Sequence, residues 1–144
     1  MEIREIMTQD PVCCTPDTSL ETVARLMLRH DCGEIPVIES DSTMRLIGVI
    51  TDRDIVCRSL AQGQNPLTMA AKDCMSAPPV AVTPETSLEE CCKTMEAHQI
   101  RRVPVVDDDQ YCCGMVSQAD IARRAGAEQT AGMVKGVSRP AAAA

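Results

Sequence analysis

The chain has 144 residues, a formal charge of −7, 44% hydrophobic residues and one aromatic residue, Tyr111. That apolar content is enough for a core and excludes global disorder. The acidity argues against a face for nucleic-acid backbones, and the lack of Phe and Trp excludes base-stacking platforms.

No apolar run reaches the ~20 residues of a membrane span. The N-terminal MEIREIMTQD has no basic-then-apolar leader. The expectation is a cytoplasmic protein with neither a nucleic-acid nor a membrane partner.

In chain order, a short extended piece, VCC, ends at Thr15-Pro16. Thr18-Ser-Leu-Glu21 has the S/T-x-x-E spacing of a capping box and marks a helix start. Leu20, Val23, Ala24, Met27 and Leu28 follow at helical spacing, predicting one apolar face. His30 ends that helix, where a charged imidazole suits the dipole, a structural role. Ile35-Pro36-Val37-Ile38, the turn SDST and the run RLIGVI read as a hairpin. A second helix opens at Thr51 and continues as DRDIVCRSL. In the connector QGQNPLTMAAKD, Asn65 can cap a short helix starting at Pro66.

The pattern then repeats. Residues 7–39 match residues 75–107 at an offset of 68, with 13 of 33 positions identical. After a shorter loop, GVITDRDI from Gly48 matches GMVSQADI from Gly114. This is a tandem duplication, so each functional feature is expected twice. Each copy reads β-α-β-β-α, giving an α/β fold of two repeats. The expected organisation is repeat 1 over 1–61, a connector over 62–73, repeat 2 over 74–126 and a mobile tail over 127–144.

The chain has nine cysteines, including three vicinal pairs, and none is spaced CxxC. An odd count without a leader argues against a secreted disulfide framework. Cys91 and Cys92 take the positions of Val23 and Ala24, so they read as small core fillers. A redox role or a metal role is the alternative.

The repeated Thr51-x-x-Asp54 and Ser117-x-x-Asp120 carry the most chemistry. A carboxylate can accept bonds from both ribose hydroxyls, and a hydroxyl at a helix start can donate to phosphate. The same spacing is a plain capping pair, and the two roles can coexist. Thr15 and Thr83 sit beside the same strands and could reach a sugar or phosphate. No nucleophile–base pair, metal cluster or phosphate-cradling loop is visible, so neither an enzyme nor a metal site is expected.

EIMT and DCMS at the repeat starts, TPDTSL and TPETSL, EIPVIE and RVPVVD, and GVITDRD and GMVSQAD together resemble a pair of CBS domains, a Bateman module. The resemblance covers residues 3 to 126. It extends, through TDRDIV and HQIRRVPVV, to small stand-alone bacterial two-CBS proteins of the hypoxic-response type.

The resemblance implies repeats packed through their sheets about a pseudo-twofold axis, two clefts for adenosyl ligands, and a homodimer. AMP is the foremost ligand, with ADP, ATP, S-adenosylmethionine and NAD as others. It implies that Arg101 and Arg102 reach phosphates; as strand neighbours they point to opposite faces, so one of them faces the cleft. It places Cys14, Ile35 and Val37, and Val82, Val103 and Val105, around the adenine rings.

The first repeat departs from this pattern at Gly33-Glu34, where a carboxylate would repel phosphate. Arg53, whose counterpart is Ala119, could compensate, and the two clefts should differ. The implied function is an adenosyl-nucleotide sensor acting on an unidentified protein target. The alternative is a redox-tuned or ligand-free interaction scaffold using its cysteines or its dimer surface.

Overall fold

The computed structural model describes residues 1–140. Its elements are β1 (Thr8–Gln9), α1 (Leu20–His30), β2 (Glu34–Ile38), β3 (Leu46–Thr51), α2 (Asp52–Arg58), α3 (Ala71–Cys74), α4 (Leu88–His98), β4 (Arg102–Val106), β5 (Cys112–Ser117), α5 (Gln118–Arg124) and α6 (Ala127–Val137). Among the described residues no helix is long and apolar enough to cross a membrane.

The long helices start one residue later than the S/T-x-x-E spacing predicts. Ser19 caps α1, its hydroxyl accepting the Thr22 N–H at 3.1 Å, and Ser87 caps α4 by accepting the Glu90 N–H at 3.1 Å. The preceding threonines are committed elsewhere. Thr18 Oγ1 accepts the Thr15 N–H and Thr86 Oγ1 accepts the Thr83 N–H, both at 3.0 Å, closing the Thr-Pro-x-Thr turns. A hydroxyl that closes the turn is not available to cap the helix. Further along, Asn65 Oδ1 accepts the Leu67 N–H, capping a short 3₁₀ turn that starts at Pro66.

The chain folds into two compact units that do not follow the repeat boundaries. One contains residues 10–79 and 108–112; the other contains residues 1–9, 80–107 and 113–140. The cause is an exchange of leading segments. Thr8 pairs with Met115 of β5, and the equivalent Ser76 pairs with Val49 of β3. The motif glycines permit this. A Cβ on Gly48 would lie 2.8 Å from the Ser76 carbonyl oxygen, and one on Gly114 would lie 2.6 Å from Met7 Sδ.

In the unit of residues 10–79, β2 and β3 are antiparallel, with Glu34 opposite Thr51, and Cys14 bridges in parallel to Val37. Its core is Cys14, Leu20, Val23, Met27, Ile35, Val37, Ile50, Ala71 and Cys74. The apolar face of α1 is narrower than its sequence suggests: Ala24 is exposed and Leu28 is 85% exposed.

In the other unit, strand order is β1-β5-β4, with Val82 bridged in parallel to Val105. Cys91 and Cys92 lie in its core with Leu88, Met95, Val103 and Ile121, as their helical spacing implies.

The tail expected to be mobile is α6 from 127 to 137, with residues 141–144 outside the described part. Met133 and Val137, four apart, enter the core, and Gly136 lets the helix approach the Glu96 side chain on α4. Two apolar residues one turn apart, with a glycine between the helices, suffice to dock it.

Candidate functional site

Both hydroxyl–carboxylate pairs form closed corners where the last strand of a repeat becomes a helix. At α2, Thr51 Oγ1 accepts the Asp54 N–H at 3.0 Å, and Asp54 Oδ2 accepts the Thr51 N–H at 3.0 Å. At α5, Asp120 Oδ2 accepts both the Ser117 N–H at 2.8 Å and the Ser117 hydroxyl at 2.9 Å. The capping role is therefore real in both repeats. It uses one carboxylate oxygen and leaves Oδ1 to other partners. Asp54 Oδ1 lies 3.9 Å from Arg58, and Asp120 Oδ1 lies 3.3 Å from the exposed Arg123. The two side chains are 17% and 15% exposed, so each carboxylate is recessed but open on one side.

A contact that sequence spacing misses ties each corner to the start of its hairpin. The Asp52 N–H donates to the Gly33 carbonyl at 3.0 Å, and the Gln118 N–H donates to the Arg101 carbonyl at 2.9 Å. Residues 33–34 and 101–102 therefore stand beside their corners. The environments differ in charge. The first corner has Glu34 opposite Thr51, with Asp52 and Asp54 in the first helical turn. Arg53 is exposed, and Arg58 Nη1 donates to the Cys74 and Met75 carbonyls, both at 2.9 Å. The second corner has exposed Arg101 and half-buried Arg102, with Asp120 as the one acidic residue of the first turn. Gln118 Nε2 is buried there with no acceptor.

The remaining predicted residues fall elsewhere. Ile35, Val37, Val103 and Val105 are 0% exposed, and Cys14 and Val82 are buried. Their side chains pack in the cores of their units. The Thr15 and Thr83 hydroxyls are turned onto Thr18 and Thr86, at 3.2 and 3.0 Å.

An open depression of about 460 Å³ is lined by Val82, Thr83, Thr86, Glu90, Lys93 and Thr94. It includes neither corner, and Lys93 is paired with Glu89 at 3.0 Å.

Burial pushes the Cys14 and Cys91 thiols up to about 12 and raises Cys74 and Cys92 as well. These four behave as packing residues, not nucleophiles.

The duplicated β-α-β-β-α unit, with a hydroxyl–carboxylate corner closing each copy, defines a tandem-repeat α/β protein. The profile of the CBS domain matches residues 3–60 and 71–126, and the chain belongs to this family, with two CBS domains. It is 36% identical over 141 residues to Hypoxic response protein 1 of Mycobacterium tuberculosis, covering 98% of this chain and 96% of that protein. The crystal structure of Hypoxic Response Protein I with two coordinated zinc ions superposes with a TM-score of 0.78 at 36% identity, covering 88% of this chain and 100% of that one.

Two further structures share the fold. The CBS pair of MJ0100, in complex with 5′-methylthioadenosine and S-adenosylmethionine, has a TM-score of 0.77 at 24% identity, covering 88% of this chain and 100% of that one. CBSX2 in complex with AMP has a TM-score of 0.76 at 23% identity, covering 86% and 95%. Among the described residues no group of three or more His, Cys, Asp or Glu converges.

Proposed function

We propose that the chain is a regulatory sensor of adenosyl nucleotides, that its Ser117–Asp120 corner is the stronger of two sites, and that AMP is the foremost ligand, ahead of ADP, ATP, NAD and S-adenosylmethionine. The observation that carries this reading is the charge contrast between the two corners. Arg101 and Arg102 stand where the first repeat has Gly33 and Glu34, and the backbone bond from Gln118 to Arg101 ties their segment to the start of α5, which supports this reading.

A ribose diol would bond Asp120 Oδ1, displacing the exposed Arg123, while Oδ2 keeps the cap. The phosphate would take a guanidinium of Arg101 or Arg102. The buried Gln118 amide would give its unused N–H to the ligand, since an unpaired buried donor costs free energy. MJ0100 and CBSX2, which hold adenosyl compounds, support the ligand class.

Sensing requires the ligand to favour one arrangement of the CBS pair, or of a homodimer, over another; equal affinity for both would shift nothing. The output is a contact with a separate protein target in the cytoplasm.

Calorimetric titration of AMP, ADP, ATP, NAD and S-adenosylmethionine into the wild type, Asp120→Asn and Asp54→Asn tests this. Asparagine keeps a carbonyl oxygen for the Ser117 N–H, so the corner survives while its charge is lost. A bond to a charged acceptor contributes about 1.5–3 kcal/mol, so Asp120→Asn should weaken binding by about tenfold to a hundredfold. Asp54→Asn should change it less. Equal affinity of the wild type and Asp120→Asn, or no binding of any of the five at millimolar concentration, overturns the proposal.

A further inference from the structure

The last helix is held less firmly than the core it covers. α6 has 11 residues, no side-chain cap at Gly126, and two interior glycines, Gly132 and Gly136. Each interior glycine lowers helix stability, and so short a helix does not persist in water without packing. The Thr130 hydroxyl is buried with no hydrogen-bond partner, a further cost. Two apolar side chains, Met133 and Val137, dock the helix, and past its end the Gln99 amide donates to the Arg139 carbonyl at 3.0 Å.

The duplication reveals what α6 covers. Cys91 and Cys92 on α4 occupy the positions of Val23 and Ala24 on α1. Val23 and Cys91 are both fully buried. Ala24 is exposed, whereas Cys92 is 4% exposed. One turn on, Leu28 is 85% exposed, whereas its counterpart Glu96 is half-buried. Contacts from α6 account for both differences. The Gln129 amide approaches Cys92 Sγ at 4.0 Å, and Gly136 sits against the stem of the Glu96 side chain. With α6 in place Cys92 is a packing residue, its pKa raised by burial.

We infer that α6 is a strap that lifts from α4 while the rest of its unit stays folded, and that it gates Cys92, a modification site for electrophilic alkenes that is reached only with the strap open. This inference is independent of the nucleotide reading. Once α6 lifts, Cys92 should be as open as Ala24, while Cys91 stays covered as Val23 is. The solvated thiol then loses its proton to water. The thiolate sulfur adds to one alkene carbon, the S–C bond forms as the C=C π bond breaks, and the resulting enolate takes a proton back; nothing leaves.

The test is N-ethylmaleimide added to the reduced full chain at neutral pH and quenched at intervals, with peptide mapping and fragmentation between residues 91 and 92. Cys92 should react more slowly than the half-buried Cys57 and faster than Cys91. Low urea should hardly change the Cys92 rate, because lifting a short helix exposes little surface, while the Cys91 rate should climb. A Cβ on Gly132 meets nothing within 4 Å, so Gly132→Ala should favour the closed helix and slow Cys92 about fivefold. Met133→Ala removes a docking side chain and should speed Cys92 about thirtyfold or more. Equal rates with equal urea slopes at Cys91 and Cys92 would mean that only global unfolding reaches the thiol, and would overturn the inference. A Cys92 rate that neither substitution moves would overturn it as well. If Met133→Ala fails to fold, Gly132→Ala and the urea slopes decide the matter.

Discussion

The two motif glycines look equivalent in the sequence, yet replacing each with alanine should have unequal cost. A Cβ on Gly48 would lie 2.8 Å from the Ser76 carbonyl oxygen and 3.3 Å from Met75 Sδ. That oxygen belongs to a reciprocal backbone pair: Val49 N–H to Ser76 at 3.0 Å, and Ser76 N–H to Val49 at 2.8 Å. Relief requires the 75–77 segment to withdraw, weakening two hydrogen bonds with a net contribution of about 0.5–1.5 kcal/mol each. Residual overpacking adds about 1–3 kcal/mol, and the lower entropy of the unfolded alanine chain returns about 0.4–1 kcal/mol.

The expected cost of Gly48→Ala is therefore about 1–5 kcal/mol, centred near 3. At Gly114 the worst clash, 2.6 Å, is with Met7 Sδ, the far part of a flexible side chain, and the Thr8 carbonyl is at 3.2 Å. A rotamer change relieves most of it, so Gly114→Ala should cost about 1 kcal/mol. Urea unfolding followed by far-ultraviolet circular dichroism measures both. If Gly114→Ala proves as destabilising as Gly48→Ala, the assignment of cost to the backbone contact is wrong.

Two further outcomes concern stability. Cys14 and Cys91 have pKa values raised by burial to about 12 from an ordinary 9.0, so their contribution is fully present below pH 9.0 and is lost as pH rises toward 12. Between those values each thiol should lower stability by up to about 1.4 kcal/mol per pH unit, because the unfolded chain ionises first. Urea midpoints for the wild type and Cys91→Ala should converge with rising pH, and parallel pH curves would contradict this. Ending the chain at Gly126 removes Met133 and Val137 from the core of their unit. Burying each is worth about 1.5–3 kcal/mol, so the urea midpoint should fall markedly; an unchanged midpoint would mean that α6 is not docked.

What local spacing encodes was legible in the sequence. The duplication, the two hairpins, the helix over Leu20–His30 and its copy, the core role of Cys91 and Cys92, and the Thr51–Asp54 and Ser117–Asp120 pairs all follow from residues within a few positions of one another. Capping bonds and helical faces are short-range, so residue type and spacing are sufficient to specify them. The charge contrast between Glu34 and Arg102 was likewise visible before any coordinates.

The tertiary structure alone decided the rest. That Thr18 closes a turn and Ser19 caps the helix depends on how the chain enters α1. The pairing of Thr8 with Met115 and of Ser76 with Val49, and the docking of α6 on α4, each join residues far apart in the chain. Such contacts exist only after the backbone has returned to a common place and the entropy of closing the intervening loops has been met by burial. The same burial packs Ile35, Val37, Val103 and Val105 into the cores, and a β-branched residue looks the same in sequence whether it lines a cleft or fills a core.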